Sequence, residues 1–244
     1  MNSNDDQINY KELLFQLMHE LRNINHIIKS SSEIISRAVS GNKIDKLTLQ
    51  EHTSQIFDNA YLISLWLDII DFEVNPELFT TQRLESRSLW GKFKKSIISF
   101  KRIAKNKKIK IEIAGESKTS IELYPIIDIL PYILLDNAVK YSPSYSTVEI
   151  EFSENESSID IQIISSGPML KKEEMDKLFT KGFRSKNAIK LGVIGSGRGL
   201  SIVKYICDIH DASIEIKTGD NAFEFEHIDY SEFSVYLRFP KLRV

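Results

Sequence analysis

The chain has 244 residues, a formal net charge of −2, 42% hydrophobic and 27% charged residues, the profile of an ordinary soluble globular protein with one large or two modest domains. That balance gives no global charge argument for nucleic-acid binding, and a single cysteine, Cys207, excludes an internal disulfide and a Cys-rich zinc site. No signal-peptide pattern opens the sequence, and its most apolar run, residues 61–72, is short and broken by Asp68, so a cytoplasmic protein is expected.

The first predicted element is a long helix. Leu14, Leu17, Leu21, Ile24, Ile28, Ser31, Ile35 and Ala38 recur in alternating steps of three and four, a heptad seam. With Leu14 at position a, His19 falls at f, facing solvent, and Glu20 follows on the neighbouring flank. Alone, an exposed helical histidine reads as a surface residue. Gly41 supplies a stop. A second helix is expected over residues 45–72, with a seam of Leu49, Thr53, Ile56, Ala60, Ile63, Leu67 and Ile70. The resulting hairpin leaves part of its apolar stripe wet, and Phe57, Tyr61, Leu65 and Trp66 widen it. Two hairpins paired into a four-helix bundle would bury it, which predicts a homodimer. Ser31 and Thr53 inside the seams read equally as register devices and as tolerated polar residues.

Asn75-Pro76 ends that helix, and residues 80–82 read as a linker. An amphipathic helix is expected over 86–104. Between residues 87 and 110 there are many Lys and Arg and no acid, which reads either as a solvated face or as a contact for an acidic partner or an anionic membrane. Strands are expected at 108–113, 120–123, 147–152, 158–164, 213–217 and 232–239. Helices are expected before Tyr141, with Pro131 starting or kinking the element, and over 200–210. The whole is therefore of the α+β class: a helical hairpin forming a dimeric four-helix bundle, then an α/β sandwich.

Four stretches of the second half carry candidate chemistry. Residues 134–143, LLDNAVKYSP, put Asn137 and Lys140 about one turn apart near a helix end. An oxygen ligand beside a cation suits a Mg²⁺–polyphosphate pair, although an Asn there also reads as a cap. Residues 163–168 form a turn closing a strand. Residues 178–185, LFTKGFRS, pair aromatics with cations. Residues 192–203 are a glycine-rich loop entering a helix, where N–H groups can meet phosphate oxygens; a plain helix-entry turn reads as well.

Together with the segment around His19, these stretches, in this order, resemble the sensor histidine kinases of two-component systems over nearly the whole chain. The resemblance implies a dimerisation and histidine-phosphotransfer hairpin over residues 1–78 and a catalytic ATP-binding domain of the Bergerat (GHKL) fold over residues 79–244. It makes residues 19–23 the phosphoacceptor box, with His19, Glu20 and Asn23 as its catalytic set. It makes 134–143 the N box, 178–185 the F box and 195–199 the last glycine box. By resemblance, Asn137 holds Mg²⁺ and Lys140 and Tyr141 flank ATP. Ser165 and Gly167 lie at the base pocket. Phe179, Arg184, Gly195, Gly197, Arg198, Gly199 and Leu200 belong to the segments that close over the nucleotide. His19 would attack the γ-phosphate and pass the phosphoryl group to an aspartate of a separate response regulator. With about nine residues before the first helix, input is expected through a separate sensor protein. A phosphotransfer relay or pseudokinase of the same architecture is the alternative.

Three positions depart from the family pattern. Ile24 replaces a proline five residues after the histidine, and Ile133 replaces the first asparagine of the N box. The D-x-G-x-G box reads Ser165-Ser166-Gly167-Pro168-Met169, without the aspartate that accepts from the adenine amino group. The adenine preference is thereby weakened more than the phosphate site.

Overall fold

The computed structural model describes residues 3–41, 45–193 and 195–241, with side chains in the first helix described at Met18 and from Leu21 onward. It divides into two compact units, Met1–Pro76 and Glu77–Val244.

The first unit is a pair of helices, α1 (Ser3–Ser40) and α2 (Lys46–Val74). Asp45 caps α2: its carboxylate accepts from the Leu47 and Thr48 N–H groups at 3.3 and 3.0 Å, satisfying donors that a helix start leaves unpaired. The helices meet through Ile24, Leu65 and Ile69, which are buried, and through a polar cluster. The Ser31 hydroxyl donates to Gln55 Oε1 at 2.9 Å and lies 3.3 Å from His52 Nδ1. Ser31 is thus a cross-helix partner.

The seam expected on α2 is only partly the face that α1 covers. Thr53, Ala60 and Leu67 are exposed, whereas Asn59, Leu65, Ile69 and Glu73 are buried. Two apolar faces wrap this helix, and a spacing rule cannot tell which one meets the intrachain neighbour. Phe57, Leu67 and Val74 remain 65%, 50% and 77% exposed. The expected seam positions Leu14 and Leu17 lie outside the described side chains.

The second unit is a sheet covered on one face by helices. Its elements are β1 (Glu85–Arg87), α3 (Leu89–Asn106), β2 (Lys110–Ala114), β3 (Ile121–Leu123), α4 (Ile129–Tyr141), β4 (Thr147–Glu154), β5 (Ser158–Pro168), α5 (Lys172–Met175), α6 (Lys186–Lys190), α7 (Gly199–Ile209), β6 (Ser213–Thr218), β7 (Phe223–Phe225) and β8 (Ile228–Pro240). The main sheet runs β2-β4-β5-β8-β6, with β7 also on β8; β1 and β3 form a separate antiparallel pair. Only β2 and β4 pair in parallel, Ile111 opposite Val148; β3 and α4 lie between them in the chain.

Alternation fixes which face of the sheet is covered. Val148, Ile150 and Phe152 of β4, Ile159, Ile161 and Ile163 of β5, and Val235, Leu237 and Phe239 of β8 are buried. Phe93 of α3 meets Phe152 edge-on, centroids 5.3 Å apart. α4 is apolar nearly all round, and α3, α7 and β5 all pack against it, as a helix inside a core requires.

Several expected boundaries moved. Residues 163–168 are not a turn: β5 continues through Pro168, paired with β8 to Tyr230. β1 and β7, three residues each, were not anticipated, because runs that short carry no period. Pro131 sits in the first turn of α4, where its missing N–H costs nothing.

His210, at the end of α7, ties that helix to the segment between β3 and α4. Its Nδ1–H donates to the Ile206 carbonyl at 2.7 Å, and its Nε2 accepts the Tyr124 N–H at 2.9 Å. Both bonds need a neutral ring, and burial pushes its pKa below the ordinary 6.5. A depressed histidine leaves the unfolded chain binding the proton first, so its contribution is complete above about pH 6.5 and is lost as pH falls below it. Denaturant titrations should therefore show wild-type stability falling by about 1 kcal/mol between about pH 7 and about pH 5.5, with the fall reduced in His210→Gln.

Candidate functional site

The site is built along the one polar edge of α4. Ile133, Asn137 and Lys140 follow at i, i+4 and i+7 on one helix face. Glycines of the 195–199 loop lie over this face. A Cβ at Gly199 would come 2.8 Å from Ile133 Cγ2 and 3.6 Å from Asn137 Nδ2, so the first residue of α7 can approach α4 this closely only without a side chain. A Cβ at Gly195 would lie 3.2 Å from Lys140 Nζ and 3.3 Å from the Tyr141 hydroxyl. Asn137, Lys140, Tyr141, Gly195 and Gly199 are thus brought together.

The loop's shape depends on its neighbour. Gly197 has φ +68° and packs on the 182–183 backbone, where a Cβ would fall 2.6 Å from the Phe183 carbonyl oxygen. The Gly182 N–H donates to the Gly197 carbonyl at 3.1 Å. Arg184 Nη2 donates to the carbonyls of Ala188 and Val193, at 3.1 and 2.5 Å, and so spends its fork holding the segment before the glycines. Arg198 is buried and Leu200 half-buried at the entry to α7. Phe179 is half-exposed beside buried Leu178. Glu174, missed in the sequence, anchors the other end: its carboxylate accepts the Lys171 and Lys186 N–H groups, each at 2.9 Å.

Ser165 alternates with Ile161 and Ile163 and so faces the helices. It is 7% exposed, and its hydroxyl donates to the Phe233 carbonyl of β8 at 3.3 Å. Gly167 packs against the same residue, with 3.3 Å from a notional Cβ to Phe233 Cβ. Ile133, 6% exposed, fills the space beneath Gly199.

Asp136 and Lys140 pair at 3.7 Å. Desolvation pushes the Asp136 carboxyl above its usual range, against the pull of Lys140. Among the described residues no group of three or more His, Cys, Asp and Glu side chains gathers to hold a metal, so a cation here would rest on Asn137 and on ligand and water oxygens.

His19 and Glu20 lie within α1, but their side chains fall outside those described; Asn23 is exposed. Their part of the predicted site is in the other unit from Asn137 and the glycine loop.

Residues 130–241 match the family of histidine kinase-, DNA gyrase B-, and HSP90-like ATPases. The chain is a relative of the sensor histidine kinases. It is 27% identical over 201 residues to the sensor protein KdpD of Clostridium acetobutylicum, covering 80% of this chain and 22% of that protein. It is 34% identical over 83 residues to the sensor-like histidine kinase SenX3 of Mycobacterium tuberculosis, 34% of this chain and 20% of SenX3. The chain thus spans about a fifth of the length of these curated relatives. The structure of the histidine kinase AdeS of Acinetobacter baumannii has the same fold, with TM-score 0.52 and 16% identity over 92% of this chain and 98% of the chain in that structure. The matched residues take in nearly all of α4, the 178–185 segment and the 195–199 loop. No helix among the described residues is long and apolar enough to cross a membrane.

The end of α4 is secured by a residue that spacing did not single out. Lys107 Nζ donates to the carbonyls of Val139, Lys140 and Ser142 at 2.8, 3.0 and 2.8 Å, and burial lowers its pKa. A cation there complements the helix C-terminus and satisfies its open acceptors. Lys107→Met should cost about 2 kcal/mol in denaturant unfolding, with weakened nucleotide binding measured by calorimetry.

Proposed function

We propose that the chain is an ATP-dependent protein-histidine kinase whose phosphoacceptor is His19. The observation that carries this is the seating of Gly195 and Gly199 on Lys140, Tyr141 and Asn137, a cradle of bare backbone beside a cation and an amide oxygen. The first unit would serve as the dimerisation and phosphotransfer hairpin, and the second as the catalytic domain. Asn137 would hold Mg²⁺, which would supply charge neutralisation along the phosphates. Lys140 and the 195–199 backbone would hold the phosphate oxygens, and the 178–185 segment, linked to Gly197 through Gly182, would move with them.

The transfer needs a neutral imidazole. The His19 Nε2 lone pair would form the N–P bond as the bond from the γ-phosphorus to the bridging oxygen breaks, leaving its electron pair on ADP. Glu20 would hold the Nδ1 proton, fixing the tautomer and steadying the positive ring as it forms. The phosphoryl group would then pass to an aspartate on a response regulator, with input from a separate sensor protein. The exposed stripe of Phe57, Leu67 and Val74 supports pairing of two hairpins in a homodimer, because water-facing apolar residues at heptad spacing need a partner helix. The placement is cytoplasmic.

A second reading rests on Ser165. Its hydroxyl proton is committed to Phe233, so it offers adenine only a neutral acceptor. A phosphotransfer relay or pseudokinase of this architecture would tolerate that loss. The two readings separate on labelling. With Mg²⁺ and γ-labelled ATP the kinase should give an acid-labile, alkali-stable phosphoprotein, lost in His19→Gln and in Asn137→Ala alike. Labelling of His19 only from a phosphorylated regulator, indifferent to Asn137→Ala, would establish the relay instead.

The base pocket can be tested separately. Restoring the carboxylate with Ser165→Asp should tighten ATP relative to GTP by about tenfold, since a charged acceptor gains about 1.5 kcal/mol over a neutral one. Calorimetry with both nucleotides reads this directly, and unchanged selectivity would place the base elsewhere.

A further inference from the structure

Helix α3 turns one face to the core and a cationic face to water. Leu89, Phe93, Ile97, Phe100 and Ala104 are buried. On the opposite side Lys94, Ile98, Lys101, Arg102 and Lys105 are all exposed, at i, i+4, i+7, i+8 and i+11, a single stripe along three turns. Lys94, Lys101, Arg102 and Lys105 pair with no acid among the described residues; Lys94 instead lies over the Trp90 ring, 4.1 Å from its centroid. Ile98, 49% exposed, sits at the angular centre of these cations. Lys110 of β2, also exposed, follows the helix. In a chain of net charge −2 this is a strong local asymmetry.

We propose that the outer face of α3 docks on an anionic phospholipid surface. Four to eight Lys and Arg side chains on one helical face are what such a surface recognises, each reaching headgroup phosphates from a flexible stem. The apolar face of α3 is already spent on the domain core, so the helix cannot bury itself in the acyl region as a free amphipathic helix does. The contact is electrostatic, with Ile98 alone entering between headgroups. That central apolar residue favours a lipid surface over an acidic protein, which would need a complementary carboxylate array and gains nothing specific from an isoleucine in its midst. The stripe uses none of the residues of the glycine loop or the α4 edge, and the proposal holds whether or not the chain is a kinase.

The test is co-sedimentation of the full 244-residue chain with phosphatidylglycerol–phosphatidylcholine vesicles, against phosphatidylcholine alone. Binding should require the anionic lipid and fall as salt rises, because the contact is screened. The combined change of Lys94, Lys101, Arg102 and Lys105 to Gln should weaken it at least about tenfold; all four side chains are exposed, and the circular dichroism should not change. Ile98→Ser should weaken it about threefold. The proposal is overturned if anionic vesicles do not pellet the protein, or if the fourfold variant binds as the wild type does. Equal binding by Ile98→Ser would overturn the entry of that side chain between headgroups, and capture by polyaspartate but not by vesicles would assign the face to an acidic protein.

Discussion

The second unit depends on the burial of α4. A thirteen-residue helix with eight buried side chains must be enclosed on several sides, and α3, α7 and β5 do so. What remains open is one edge, and the polar residues of the helix fall there because the other directions are occupied. The same enclosure makes the approach of α7 close, which is why its first residue is glycine and why Ile133 lies beneath it. In a core this dense, a methyl group at Gly199 has nowhere to go. The geometry around Asn137 is thus a by-product of packing, held at its far end by the Lys107 ammonium.

Much of this was readable in the residues. The heptad steps gave the two helices, alternation gave β4, β5, β6 and β8, and the combination of residues 134–143, 178–185 and 195–199 gave the sensor histidine kinase family before any coordinates. The substitution of Ser165 was visible too, but its hydrogen bond to Phe233 was not, since it depends on a strand pair separated by 68 residues. The continuation of β5 through Gly167-Pro168 escaped for a related reason. Those residues signal a turn locally, and pairing along β8 overrides the signal.

The rotation of α2 against α1 was not legible for a different reason. Ile56, Ile63 and Ile70 are half-buried, Leu65 and Ile69 fully so, and Phe57 and Leu67 are exposed. With apolar residues around most of the circumference, spacing alone leaves the rotation of the helix undetermined. Ser31 resolves it: its hydrogen bond to Gln55 and its proximity to His52 fix which side of α2 turns toward α1. A buried polar contact of this kind costs stability relative to leucine but penalises every rotated or shifted pairing.

The main sheet ends on β2 and β6, and both outer strands are studded with charge. Lys110 and Glu112 on one side, and Glu215 and Lys217 on the other, are exposed. An edge strand is a template for a strand from another molecule, and charged side chains at every second position make such an addition unfavourable. The nucleotide-binding unit is thereby insulated against fusing edge-to-edge with its copies. In the homodimer proposed above, pairing would be left to the helical hairpin, and the sheets of the two copies would stay separate.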